Sequence, residues 1–346
     1  MTFEDDIKKL REMLQSACLV EFSTIPAYLT GWWSIKDRRS TAAKLIRELV
    51  TVEMRHLSIA ANVLIATGAD PDIKAVASLP YPRFFSAPGP MEIQLQPFGD
   101  SFLAMGMCIE SPGPVDEGTL PEGLRAALPV TAEFDPRRHT PILPDPGETI
   151  GQFYRDLMQH LKDCVHLYGE KVVFPAGRLD RQYAYFGQDC ITVEGLDDAL
   201  TLMQDVIWEG EGDGGGILDS NRDLSHYFTF HELSVGRFYR QDDKPLDPTG
   251  DGFHVPKGDE VVNSLVNPKL ANYEESPDAL KAALGFTELY QKMITDLDSG
   301  FRGRPALVDV AVGRMRQLLA RADEVLVCKL KGMDYYSAPT FELPDQ

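Results

Sequence analysis

Proline is spread unevenly along this chain of 346 residues: 14 of its 24 prolines fall between residues 71 and 146. An interior proline removes a helical hydrogen bond and clashes with the preceding turn, so this stretch cannot form a long regular helix. It reads as an ordered excursion with short elements such as 101–110, and the long helices must lie on either side of it. Upstream, Ile7, Leu10, Met13, Leu14, Ala17 and Val20 recur at helical spacing within 4–33. Ser40 caps a second helix through Thr67, with Leu45, Leu49, Val52, Leu57, Ala60, Ala61 and Leu64 on its apolar face and Gly68 as its stop. The link between the two is short and polar, which predicts an antiparallel αα-hairpin.

Beyond the excursion, helical periodicity returns at 148–163, residues 171–193 look extended, and helices follow at 195–211 and 219–234 around the glycine-rich EGEGDGGG. A last pair spans 278–297 and 305–330. The expected fold is mainly α and a single domain over 1–346. Its four-helix core comprises 4–33, 40–67, 195–211 and 219–234, with 71–146 inserted and 148–163, 278–297 and 305–330 as accessory helices.

The charge balance, 34 basic against 53 acidic residues, leaves −19 at neutral pH. Such a surface excludes nucleic acid or an anionic membrane as the main partner, since both need a basic face. The start, MTFEDDIKKL, lacks the layout of a secretory signal, and no apolar run is expected to span a bilayer. The five cysteines are widely spaced and form no CxxC pair, which suits a reducing, cytoplasmic setting.

The sharpest chemical signal is Glu53-Met-Arg-His56. Three residues along a helix turn through about 300°, so the carboxylate and the imidazole share one face. On this tetrapeptide alone, a solvated Glu and a packed His would be the commoner arrangement. Glu21 changes the balance, because it sits in an apolar run, CLVEFSTIPAYL, where an unpaired carboxylate is costly. With the hairpin turn near 36–38, Glu21 and Glu53 stand at the same level. A second set follows: Glu211 closes one helix, and Asp223-Leu-Ser-His226 opens the next with the same three-residue spacing. Glu209 reads as a solvated helix end, and Glu232 as a salt-bridge or supporting group two turns further on. Tyr28, seven residues after Glu21, lies on nearly the same face. The aromatic residues Phe84, Phe85, Phe98 and Phe102 could roof a pocket or simply pack as a lid. Neither a GxSxG elbow nor HExxH is present.

Taken together, Glu21-Phe-Ser-Thr-Ile-Pro-Ala-Tyr-Leu29 and Val52-Glu-Met-Arg-His-Leu-Ser-Ile-Ala-Ala-Asn62 resemble the ferritin-like domain of the iminophenylpyruvate dimer synthases of the violacein and rebeccamycin pathways. Tyr81-Pro82, Ile109-Glu110-Ser-Pro112, Thr149-Ile-Gly-Gln-Phe-Tyr154, Gly210-Glu-Gly212 and Ser225-His-Tyr-Phe-Thr-Phe230 extend the likeness along the chain. The resemblance implies a ferritin-like four-helix bundle. It also implies metal ligands at Glu21, Glu53, His56, Glu211 and His226, with Asp223 where a longer carboxylate is expected. Val235 stands where a second Glu-x-x-His, beginning at Glu232, would need histidine. One iron, two irons, or another metal with nitrogen and carboxylate ligands all satisfy this set. The function implied is an iron-dependent oxidative enzyme of secondary metabolism. Its substrate would be an imine derived from an amino acid, or a related aromatic molecule, supplied by an upstream amino-acid oxidase, and the chain could form a homo-oligomer. The rival readings are a non-catalytic metal-binding or storage protein, and a scaffold partner of an oxidase with a degenerate site.

Overall fold

The computed structural model of the chain describes residues 2–85, 91–113, 120–128 and 149–343. Parts of the expected 71–146 excursion, at 86–90, 114–119 and 129–148, lie outside the described residues.

The helices are α1 (Phe3–Ser34), α2 (Thr41–Ala66), α3 (Ile73–Ser78), α4 (Asp100–Ile109), α5 (Glu122–Arg125), α6 (Ile150–Tyr168), α7 (Glu170–Val173), α8 (Leu196–Glu211), α9 (His226–Val235), α10 (Pro277–Phe301) and α11 (Ala306–Leu326). Two short antiparallel hairpins pair β1 (Arg83–Phe85) with β2 (Met91–Ile93), and β3 (Tyr185–Phe186) with β4 (Asp189–Cys190). The starts of α1 and α2 are chemically defined. Thr2 and Asp5 form a reciprocal capping box of 3.3 and 3.0 Å, and the Ser40 hydroxyl accepts the Ala43 N–H at 3.3 Å.

The expected α1–α2 hairpin forms, and its helices pack against each other along their length. The ring closes through α8 on α2, α6 on α8, and α6 back on α1. Here the structure differs from the sequence reading, which placed 148–163 outside the core and 219–234 within it. The apolar stripe of α6 (Phe153, Tyr154, Leu157, Met158, Leu161, Cys164) is buried, which makes it a full bundle member. Residues 219–225 are not helical. The Asp219 carboxylate accepts the N–H groups of Asn221 and Asp223, both at 2.8 Å, and Arg222 turns into left-handed backbone at φ 68°. Helix α9 therefore begins only at His226, and it packs chiefly against α4 of the excursion.

The C-terminal pair α10–α11 forms as expected and lies against α3, α2 and α1. One hydrophobic core runs continuously from the bundle into this pair. Contrary to expectation, one helix is long and apolar enough to span a bilayer: α2 has an 18-residue window of mean hydropathy 1.3. That window is 78% buried within the protein, so its apolar character is explained by its central place in the bundle. All five cysteines are free thiols.

Candidate metal centre

The hairpin brings Glu21, Glu53 and His56 to one level, and each is 2% exposed. His56 Nδ1 lies 3.5 Å from Glu21 Oε2 and 3.9 Å from Glu53 Oε1. The first turn of α9 adds His226, whose Nδ1 is 2.8 Å from Glu53 Oε1 and 3.6 Å from Glu110 Oε2. The two imidazoles face each other at 5.4 Å between ring centres. Glu110 is the residue that ends α4, so the excursion delivers a carboxylate to the bundle.

Hydroxyl groups fix these carboxylates. Tyr154 donates to Glu21 Oε1 at 2.6 Å, Tyr28 donates to Glu110 Oε1 at 2.6 Å, and Thr24 Oγ1 lies 2.8 Å from Glu53 Oε2. Among the described residues, no lysine or arginine pairs with Glu21, Glu53 or Glu110. Buried carboxylates without a fixed cation are costly, and the imidazoles carry the compensation. Burial alone would lower the His226 pKa, but the Glu110 and Glu53 carboxylates push it up to about 9. His56 is likewise raised, because Glu209 and Glu21 outweigh its desolvation. Burial, and then the neighbouring Glu110 charge, raise Glu53. Burial first, then the adjoining carboxylates, also hold the Tyr28 and Tyr154 phenols well above their ordinary value, so both remain protonated donors.

The donor set fits a transition-metal cation. Ligand atoms from Glu53, His56 and His226 all lie within 4.8 Å of one another, against roughly 3–4 Å between donors on an ion with bonds of about 2 Å, so a small inward movement closes the set. His226 Nδ1 is buried and, although close to Glu53, is not aligned with it as a hydrogen bond. A cavity of about 20 Å³, room for a single ion or water, is lined by Glu21, Glu53, His56, Glu110 and Glu211. Ile109, Ser111, Ile150, Gly151, Val206, Ile207 and Gly210 complete its wall.

Four of the six residues expected as ligands thus converge: Glu21, Glu53, His56 and His226. Glu211 lines the same cavity: its Oε2 accepts from Arg155 at 2.6 Å, its Oε1 is buried without a hydrogen-bond partner, and burial raises its pKa. Asp223 is not part of the site. It is exposed in the turn that Asp219 organises, because the helix expected to carry it starts three residues later. Glu232 is buried outside the cluster and accepts the Tyr239 N–H at 3.1 Å. Phe98 and Phe102 do not roof the cavity. They are core residues, with Phe102 packed between Phe98 and Tyr28, while the Phe85 side chain lies outside the description.

Two participants escaped the sequence reading. Glu110 carries the signal that exposed Glu21, a carboxylate at the end of an apolar run, DSFLAMGMCIE. Glu209, read as a solvated helix end, instead has a side chain only 12% exposed and lies 2.7 Å from His56 Nε2. Its pKa falls despite the opposing effect of burial, because His56 and Arg55 stabilise the anion.

A bundle whose facing helices project carboxylates and an E-x-x-H pair into their shared interior defines a class of metal-binding helical proteins. The chain belongs to the Ferritin-like family: the model of that family matches residues 14–235, more than half of the chain, ending where α9 ends. A ferritin-like protein from Caulobacter vibrioides, known from a crystal structure at 1.95 Å resolution, is similar over 96% of this chain and 97% of its own. With a TM-score of 0.59 at 19% identity, the likeness shows a shared fold. Among curated proteins, none matches the chain. Ferritin-like folds often bind iron, and the Glu53–His56–His226 group is a possible site for it.

Proposed function

We propose that this protein is an iron-dependent oxidative enzyme acting on a small molecule, with Glu53, His56 and His226 as its metal ligands. The observation that carries the reading is the convergence of two imidazoles and one carboxylate within 4.8 Å, all buried. Two histidines and one carboxylate with open positions are the donor set of non-haem iron oxygenases. Bound there, iron would supply redox chemistry with dioxygen or peroxide.

The chain's own residues then have separable tasks. Tyr154, Tyr28 and Thr24 hold the three carboxylates in place through their hydroxyls. Ile109, Ile150, Val206 and Ile207 keep bulk water away from the donors. Glu211, whose Oε2 is held by the half-exposed Arg155, forms part of the cavity wall. The cavity has no room for an aromatic ring, so a substrate would react from outside this wall, against its apolar residues. The resemblance to iminophenylpyruvate dimer synthases makes an imine from an aromatic amino acid the substrate to test first. An amino-acid oxidase would be its source.

A two-metal variant of the reading has its own support. Glu21 stands 3.5 Å from His56 Nδ1 and Glu110 stands 3.6 Å from His226 Nδ1, so each imidazole has a private carboxylate and Glu53 lies between them. Anaerobic loading with Fe(II) followed by metal analysis separates one ion per chain from two. The expected result is stoichiometric iron in the wild type and almost none in Glu53→Ala/His56→Ala with helicity retained. Oxygen uptake should rise when aromatic amino-acid-derived imines are added. Wild-type iron content in the double variant would refute the site, and uptake unresponsive to every such substrate would refute the enzymatic reading.

A further inference from the structure

Within Glu53-Met-Arg-His56 the intervening arginine has a partner that gives it a purpose. Arg55 Nη1 donates to both oxygens of Glu209, at 2.9 and 3.0 Å, and the two side chains are 11% and 12% exposed. Asp205 and Asp189 lie 3.7 Å from the same guanidinium, close enough for charge pairing but not for hydrogen bonds. The second oxygen of Glu209 is also the atom 2.7 Å from His56 Nε2.

A carboxylate that takes two bonds from a guanidinium is ionised and can only accept. His56 Nε2 must therefore carry a proton and donate it to Glu209. The lone pair available for a metal is then on Nδ1, the nitrogen facing Glu21 and Glu53. We propose that Glu209, clamped by Arg55, is the positioning residue of the centre: it fixes the ring orientation and the tautomer of His56, so that Nδ1 is the ligating atom. The proposal rests on the metal reading above. It assigns to α8 a role that does not pass through its expected ligand, Glu211.

The general expectation for such outer carboxylates is a 10–100-fold loss of metal affinity when they are removed. The test uses full-length protein and Zn(II) as a diamagnetic probe. Calorimetric titration gives affinity and stoichiometry, and ¹⁵N-histidine NMR gives the tautomer of His56. The expected results are Nε2–H with Nδ1 bound to zinc in the wild type, and a 10–100-fold weaker site of unchanged stoichiometry in Glu209→Gln. Arg55→Gln, which leaves the carboxylate unclamped, should fall between the two.

A wild-type spectrum with Nε2 bound to zinc overturns the proposal without any variant, so it remains refutable even if Glu209→Gln does not fold. A Glu209→Gln protein that is less stable yet binds zinc with wild-type affinity and tautomer also overturns it, by showing Glu209 to be a structural ion-pair partner alone. A wild type that binds no metal removes the underlying reading, and this inference with it.

Discussion

Gly106 is where α4 and α9, the helices that bring Glu110 and His226 to the site, meet, and replacing it by alanine tests how they are held. A Cβ at this position would lie 2.3, 2.5 and 2.6 Å from the Cε1, Cζ and Cδ1 atoms of Phe230. Carbon atoms rest at about 3.5–4.0 Å, so the ring must retreat by roughly 1 Å. It has little freedom to do so. Phe230 is fully buried, with ring centres 5.2 Å from Tyr28 and 6.0 Å from Phe102. Overpacking of this kind costs about 1–3 kcal/mol, and the better helix propensity of alanine returns about 1 kcal/mol. The expected net loss is up to about 2 kcal/mol, read as a lower urea midpoint at constant slope. The functional consequence follows from register. Glu110 and His226 each lie four residues from this contact, one along α4 and one along α9. A shift of α9 by even part of an ångström separates His226 from Glu53, so metal affinity should fall about tenfold or more although no ligand is touched. Gly285 in α10, where a Cβ meets nothing within 4 Å, is the control, and Gly285→Ala should gain up to about 1 kcal/mol without altering metal binding. If Gly106→Ala proves as stable as Gly285→Ala and keeps wild-type affinity, the close approach of α4 and α9 does not position His226.

Three further outcomes are expected. His226→Ala should lower metal affinity sharply while Asp223→Ala leaves it unchanged; equal effects in equilibrium dialysis would place the turn at 219–225 wrongly. Burial pushes Glu232 up from 4.5 to about 7, so the folded state keeps a proton that the unfolded chain has released between those pH values. Its contribution is complete below pH 4.5 and is lost as pH rises through about 7, an effect of order 3 kcal/mol at ~1.4 kcal/mol per pH unit. Glu232→Gln should therefore flatten the decline in melting temperature between pH 5 and 8 and leave metal content intact; parallel wild-type and variant curves would contradict it. Asn62 donates to Tyr183 O and Ile191 O at 2.8 and 2.7 Å and accepts Tyr183 N at 3.1 Å. Asn62→Ala strands these buried groups and should cost about 2–4 kcal/mol by urea denaturation; a loss under half a kilocalorie would mean that water replaces the side chain.

Most of the site could be read in advance, His226 included, and for its first three residues the reason is physical. Glu21, Glu53 and His56 lie on one uninterrupted hairpin, where helical period and turn position determine which residues share a level. The same method failed at Asp223. An Asp-Ser-Asn-Arg-Asp run satisfies its own backbone through Asp219, and that competes successfully with a helix. It failed also at α6, whose stripe of Phe153, Leu157 and Leu161 shows that the helix is buried but not against what. Glu209 was obscured because its partner, Arg55, comes from a distant helix, and a glycine-flanked glutamate at a helix end has no local mark of burial.

The proline-rich excursion has a definite part in the site. The ring of α1, α2, α6 and α8 supplies Glu21, Glu53, His56 and Glu209, which gives one imidazole among carboxylates. The second imidazole comes from α9, and α9 is held mainly by α4, which the excursion carries to the bundle and ends with Glu110. Without α4, the N-terminal turn of α9 would lose its principal packing surface and His226 its second carboxylate. Regular helices can bury a hairpin of acidic residues, but the turn-rich chain between them brings the nitrogen donors to two. That count is what would distinguish the proposed metal site from a buried acidic pair.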